Sequence, residues 1–152
     1  MAVKRLIHLN VVCSDFERSL RFYEDVVGAK VAMPFEKAAD GDDFLGAMGI
    51  PGGSGHRGAM LYLGDERRGP YIDLIEWDVK GQSDSRGARD LGVPRLAILV
   101  DDVDASFEEV KAKGVVPMGE PITIGTGHYQ VRCFMFPDPD GFLVEFAQFV
   151  RP

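Results

Sequence analysis

The chain is predicted to be an α+β protein made of two β-α-β-β-β modules, and three observations carry that prediction. RLIHLNVVCSDFERSLRFYEDVVG, residues 5–28, returns as RLAILVDDVDASFEEVKAKG, residues 95–114, in the order strand, acidic cap, amphipathic helix, glycine. GPYIDLIEW, residues 69–77, returns as GFLVEFAQF, residues 141–149, setting Glu145 on Asp73 and Gln148 on Glu76. A polar linker, 80–90, lies between, so a single domain spanning 1–152 holds module 1 (4–79) and module 2 (91–150). Two sheets, each covered by a helix on one face, leave their other faces to pack or to line a cavity.

Residues 4–13 are rich in Leu, Ile and Val and form the first strand, which carries His8. Ser14 and Glu17 have capping-box spacing. Phe16, Leu20, Tyr23 and Val27 then recur at helical intervals up to Gly28. A short strand over 29–33 follows. Residues 34–57 are punctuated by glycines around Phe44, Leu45, Met48 and Ile50, and are expected to form a long loop with a brief helix. Strands at 58–63 and 71–77, joined by a turn, complete the module. In the second module Asp138, Pro139, Asp140 and Gly141 specify a tight turn that sets where the last strand begins.

Composition excludes several functions. With 152 residues and 45% hydrophobic content the chain can bury a core without staples. Its net charge of -7, without a run of Lys and Arg, argues against nucleic acid as a partner. The opening MAVKRLIHLNVV is too short and too interrupted for a signal or a membrane span, so a cytoplasmic protein is expected. Cys13 and Cys133 are then expected to be reduced, buried thiols.

Glu145 stands out because Val144 and Phe146 flank it on an apolar strand. Charged residues are rarely buried unless paired, so either it meets solvent or it has a partner and a task. Strand alternation alone leaves both open, since each face of this strand is mostly apolar.

The HLNVVCSDFERSLRFYEDVVG opening, the VDDVDASFEEVKAKG restart and the DPDG turn before Glu145 together resemble the vicinal oxygen chelate superfamily, with its glyoxalases, epimerases, extradiol dioxygenases and bleomycin-binding proteins. The resemblance covers nearly the whole chain. It implies paired βαβββ modules forming a curved mixed sheet around a pocket, a small-molecule substrate or ligand, and frequent dimerisation. It also implies that the first and fourth strands of each module supply one metal ligand each, which places His8, Asp73, Arg95 and Glu145 at those positions.

Arg95 departs from the pattern, which usually has His there. A guanidinium is permanently charged and only donates hydrogen bonds, so it is no ordinary metal ligand. Asp73 is also shorter than the usual Glu or Gln. Two arrangements follow. His8, Asp73 and Glu145 could hold one divalent ion, zinc, manganese, nickel or iron, with water completing the shell. Alternatively Arg95 supplies the positive charge itself, and this metal-free arrangement is preferred because a cation in place of a nitrogen ligand adds repulsion.

The activity implied is a lyase or isomerase step by proton transfer next to a carbonyl. Glu145 and His8 are the catalytic candidates. Arg95, Phe44, Met48 and His128 are candidates to contact substrate. The alternatives are a sequestering protein without catalysis and, more weakly, an extradiol-type dioxygenase, which wants two His and one Glu around iron. His128 would have to supply the second imidazole, but a lone loop histidine more often meets solvent. His56, among glycines, is expected to be solvated. Arg132 is expected either to bind an anionic substrate or to snorkel from a strand edge.

Overall fold

The computed structural model describes residues 4–37, 55–65, 69–81, 92–93, 95–126 and 129–150. The chain divides into two compact units, Met1–Gln82 and Ser83–Pro152.

The first unit contains β1 (His8–Val12), α1 (Phe16–Asp25), β2 (Lys30–Lys37), β3 (His56–Tyr62) and β4 (Tyr71–Trp77). They form a sheet of order β1-β4-β3-β2, in which β1 runs parallel to β4 and the other pairs are antiparallel. Strand alternation sends Ala59, Leu61, Ile72 and Leu74 to the α1 side, where Phe16, Phe22 and Tyr23 are buried. Each such aromatic contributes about 2 kcal/mol through the apolar surface it removes from water.

The cap of α1 differs from the expected Ser14. Asp15 takes the position with extended backbone, and its carboxylate accepts the Arg18 amide at 3.0 Å. An anion suits the positive end of the helix better than a hydroxyl. Ser14 accepts from the Arg18 guanidinium instead, at 2.9 Å. Gly28, at φ +78, turns the chain out of the helix into β2.

The loop expected over 34–57 gives way to strand at both ends, and the brief helix expected inside it lies outside the described residues. Residues Pro34 to Lys37 continue β2, and His56 and Arg57 already belong to β3. Proline is tolerated there because β2 is the edge strand. Phe44, Met48 and His128 lie outside the described residues.

The second unit repeats the plan with β5 (Arg95–Leu99), α2 (Val103–Ala112), β6 (Ile122–Thr126), β7 (Tyr129–Pro137) and β8 (Leu143–Val150), in the order β5-β8-β7-β6. Its core is aromatic. Phe107 of α2 meets Phe134 edge-on, and Phe134, Phe136 and Phe146 pack together with ring centroids 5.0–5.8 Å apart. Ahead of β8, the Asp138 carboxylate accepts the amides of Asp140 and Phe142 at 2.9 and 2.8 Å, and Gly141 adopts φ +87. This turn fixes the start of the strand that carries Glu145.

Cys13 and Cys133 are buried thiols that form no disulfide. Among the described residues no helix is long and apolar enough to cross a membrane.

Candidate functional site

Each unit has one sheet face opposite its helix, and each such face carries a polar cluster. In the first unit the register places His8, Asn10 and Asp73 on that face, with Asn10 directly beside Asp73 on the parallel neighbour. The Asn10 amide donates to Asp73 Oδ2 at 2.9 Å, and His8 Nε2 lies 4.0 Å from the same oxygen. Asp73 is only 8% exposed, and its other oxygen, Oδ1, is buried with no hydrogen-bond partner. Burial pushes the Asp73 carboxyl above its ordinary range, while His8, the Asn10 hydrogen bond and His56 pull partly the other way.

His56 departs from expectation. It is 9% exposed, with its ring 4.8 Å from Trp77 and 5.8 Å from Phe35. Its Nδ1 is buried and unpaired. The surrounding glycines suggested solvent, but Trp77 stands opposite it in the sheet and covers it. Asn10 was also overlooked; the signal available was the two-residue period that sets it on the face of His8.

In the second unit Arg95, Ala97, Cys133, Met135 and Glu145 share the open face by register. Glu145 is buried, at 6% exposed, and Arg95 donates from Nε to its Oε2. The carboxylate therefore has a partner. The Cys133 thiol is pushed up by burial first, then by the Glu145 carboxylate, to which it hydrogen-bonds. Arg132 is not on this face. It forms a two-pronged ion pair with Asp104 of α2, Nε to Oδ2 at 2.9 Å and Nη2 to Oδ1 at 2.6 Å, so neither anion binding nor simple snorkelling describes it.

Could these residues hold a divalent ion? Within either unit, among the described residues, no three His, Cys, Asp or Glu side chains gather. His8 and the unpaired Asp73 oxygen offer one nitrogen and one oxygen donor of the right chemistry. At the position that repeats His8, however, Arg95 already occupies Glu145 with a positive charge. Within its own unit Glu145 is therefore a poor donor to an ion.

Comparison with known proteins gives a consistent result. A family model described as the Glyoxalase/Bleomycin resistance protein/Dioxygenase superfamily matches residues 5–146. A probable lactoylglutathione lyase of Vibrio cholerae is 27% identical over 149 residues, covering 97% of this chain and 93% of that protein. A 2-epi-5-epi-valiolone epimerase of an Actinomyces species is 31% identical over 141 residues, covering 91% and 75%. A solved glyoxalase family protein from Bacillus cereus superposes with a TM-score of 0.80 at 17% identity, over 99% of this chain and 97% of that one.

Proposed function

The chain belongs to the Glyoxalase/Bleomycin resistance protein/Dioxygenase superfamily, and we propose that within it the protein is an enzyme that moves a proton on the carbon next to a carbonyl of a small oxygenated molecule. The observation that carries this reading is the buried Glu145 carboxylate held by one N–H of Arg95. Among the described residues its other N–H groups have no partner, and they are suited to an oxygen that gains negative charge.

In the step proposed, Glu145 takes the proton from the α-carbon. The C–H electron pair becomes the enolate π bond, and the carbonyl π electrons move onto oxygen beside Arg95. Return of the proton to another atom or face completes an isomerisation, and loss of a leaving group completes a lyase step. Positioned proton transfer of this kind is worth about 10²–10⁴ in rate. His8 and Asp73 are proposed to contact substrate. The relatives' names, a lyase and an epimerase, support the same class.

A sequestering pocket without catalysis is the alternative. Buried polar atoms left without partners cost about 1–3 kcal/mol each, and Asp73 Oδ1 and His56 Nδ1 are both of that kind. A pocket for an apolar ligand has no use for them. A second arrangement, with an ion on His8, Asp73 and Glu145, is favoured only by the free Asp73 oxygen.

The test is exchange of α-protons of small ketones, hydroxyketones and thioesters for deuterium in D2O, followed by NMR. Wild-type protein is expected to accelerate exchange for at least one compound, and Glu145→Gln to abolish it while keeping the fold. Exchange at undiminished rate in that variant defeats the assignment.

A further inference from the structure

Beyond Glu145 the same face of the second unit turns apolar. Leu99 pairs with Ala147, Ala147 with Cys133 and Cys133 with Ile122, so one row crosses all four strands. The next row holds Phe149 and Ile124, both paired with Val131. Four of these side chains are large and exposed: Leu99 at 66%, Phe149 at 56%, Ile122 at 55% and Ile124 at 49%. Single exposed apolar residues need no explanation, but four on one face do.

Residue size follows strand position. Leu99 and Ile122 stand on the edge strands β5 and β6, while the two central strands carry only the small Ala147 and Cys133 between them. The face is therefore lowest along its middle, from Glu145 past Ala147 to Phe149, four strand positions or roughly 13 Å. Arg95 pairs in register with Leu143 and so reaches Glu145 from one end of β8, whereas the apolar rows begin at Ala147, on the other side of Glu145. A carbonyl oxygen held by Arg95, with its α-carbon over Glu145, leaves the rest of the molecule to run over Ala147 between Leu99 and Ile122. The residues paired in those two rows carry no charge.

We propose that Leu99, Ile122 and Ile124 form a subsite for an uncharged alkyl chain, so that the substrate of the second module is a carbonyl compound with a chain of several carbons rather than a short polar one. Continuity with the Glu145 and Arg95 pair singles out this occupant, because a site that binds a polar head beside an apolar surface gains affinity from whatever chain the head carries. The proposal rests on the proton-transfer reading of that pair, and it deepens the reading by naming a substrate class.

A series of methyl ketones that differ only in chain length tests it: 2-butanone, 2-hexanone and 2-octanone, titrated into the full chain labelled with carbon-13 at its isoleucine methyls. The Ile122 and Ile124 methyls are expected to shift, while Ile98, which alternation places on the α2 side of β5, stays still. Affinity is expected to rise about two- to fourfold for each added methylene, the upper figure being that of full burial. Ile124→Thr keeps a β-branched residue on the strand, and the Ile122 methyl still reports; it is expected to bind 2-octanone about threefold more weakly and 2-butanone as before. Leu99→Thr should do the same from the other edge, and covers the case in which the first variant fails to fold. Affinities equal along the series, no shift at Ile122 and Ile124 with any ketone, or shifts as large at Ile98 overturn the proposal. So do Ile122 and Ile124 signals that follow protein dilution and ignore ketone, which would mean that a second copy covers the face. Deuterium exchange next to the carbonyl is read in the same samples. Chain-length dependence without exchange leaves the subsite standing and removes the proton-transfer reading, and exchange that is equal for all three ketones, without the shifts, does the reverse.

Discussion

Asp15 caps α1 by accepting the Arg18 amide, and Asp102 caps α2 by accepting the Ala105 amide, each at 3.0 Å. Glu76 of β4 accepts the first amide of α1 at 3.1 Å; Gln148 of β8 accepts the first amide of α2 at 3.2 Å. Arg57 reaches Glu17 from β3 at 3.6 Å, and Arg132 reaches Asp104 from β7 at 2.6 Å. On the helix sides, then, these three contacts repeat from one module to the other. On the open sides they do not. The positions held by His8, Asn10, Asp73 and Gly58 in the first module are held by Arg95, Ala97, Glu145 and Cys133 at the equivalent register of the second. The repeated contacts tie each helix to its sheet, and chemistry is free to diverge on the faces that do not take part in that packing.

If the divergence is functional, the two carboxylates should answer unequally to removal of their charge. Glu145→Gln is expected to slow α-proton exchange by about 10²–10⁴, the range for loss of a positioned base. Asp73→Asn keeps a hydrogen-bonding group and is expected to cost about tenfold at most. Equal losses, read as exchange rates in D2O, would break the comparison.

The next largest difference concerns the pair Gly58 and Cys133. Gly58→Ala forces its methyl into Phe35 and the Leu74 carbonyl, and is expected to destabilise the protein by about 3 kcal/mol. Cys133→Ala leaves a small void and should cost about 1 kcal/mol. Urea unfolding of both variants measures the gap.

Glu76 and Gln148 do the same capping with and without charge. Burial pushes the Glu76 carboxyl up, but the hydrogen bonds from Arg57, the Phe16 amide and Lys80 bring it below its ordinary 4.5. A depressed carboxyl stabilises the fold above its unfolded value and loses that contribution as pH falls through the folded one. Glu76→Gln is therefore expected to cost at most about 1 kcal/mol near neutrality, a difference that shrinks in acid and in high salt. Melting temperatures measured against pH check it.

Asp73 has the opposite sign. Burial holds its carboxyl above the ordinary 3.8, so its contribution to stability is full below that value and is lost as pH rises through the raised one. Asp73→Asn should raise the melting temperature at pH 7 and match wild type in strong acid. A lower melting temperature at pH 7 would mean that a charge partner of Asp73 outweighs its burial.

Much of the fold was legible because its signals are local. The acidic cap of the second helix, the helical spacing of Phe16 and Tyr23, the turn before Leu143 and the strand from Tyr71 to Trp77 are all written in short stretches of chain. The ends of β2 and β3 were not, since Pro34 and the glycines around His56 read as loop, and only pairing across the sheet makes Pro34–Lys37, His56 and Arg57 strand. The same limit applies to the clusters. Burial of His56 comes from Trp77, and satisfaction of Glu145 from Arg95, partners separated by 21 and 50 positions that only the sheet register brings together. Arg132 misled for a related reason: alternation says that it faces away from Cys133 but not that Asp104 waits on the helix side.

We propose that Arg95, paired with Glu145, itself supplies the positive centre of the site in place of an ion. Elemental analysis of protein loaded in turn with zinc, manganese, nickel and ferrous iron and then dialysed tests it most directly. The account predicts far less than one ion per chain in every case. One ion per chain that survives dialysis, and is lost in His8→Ala, would contradict it.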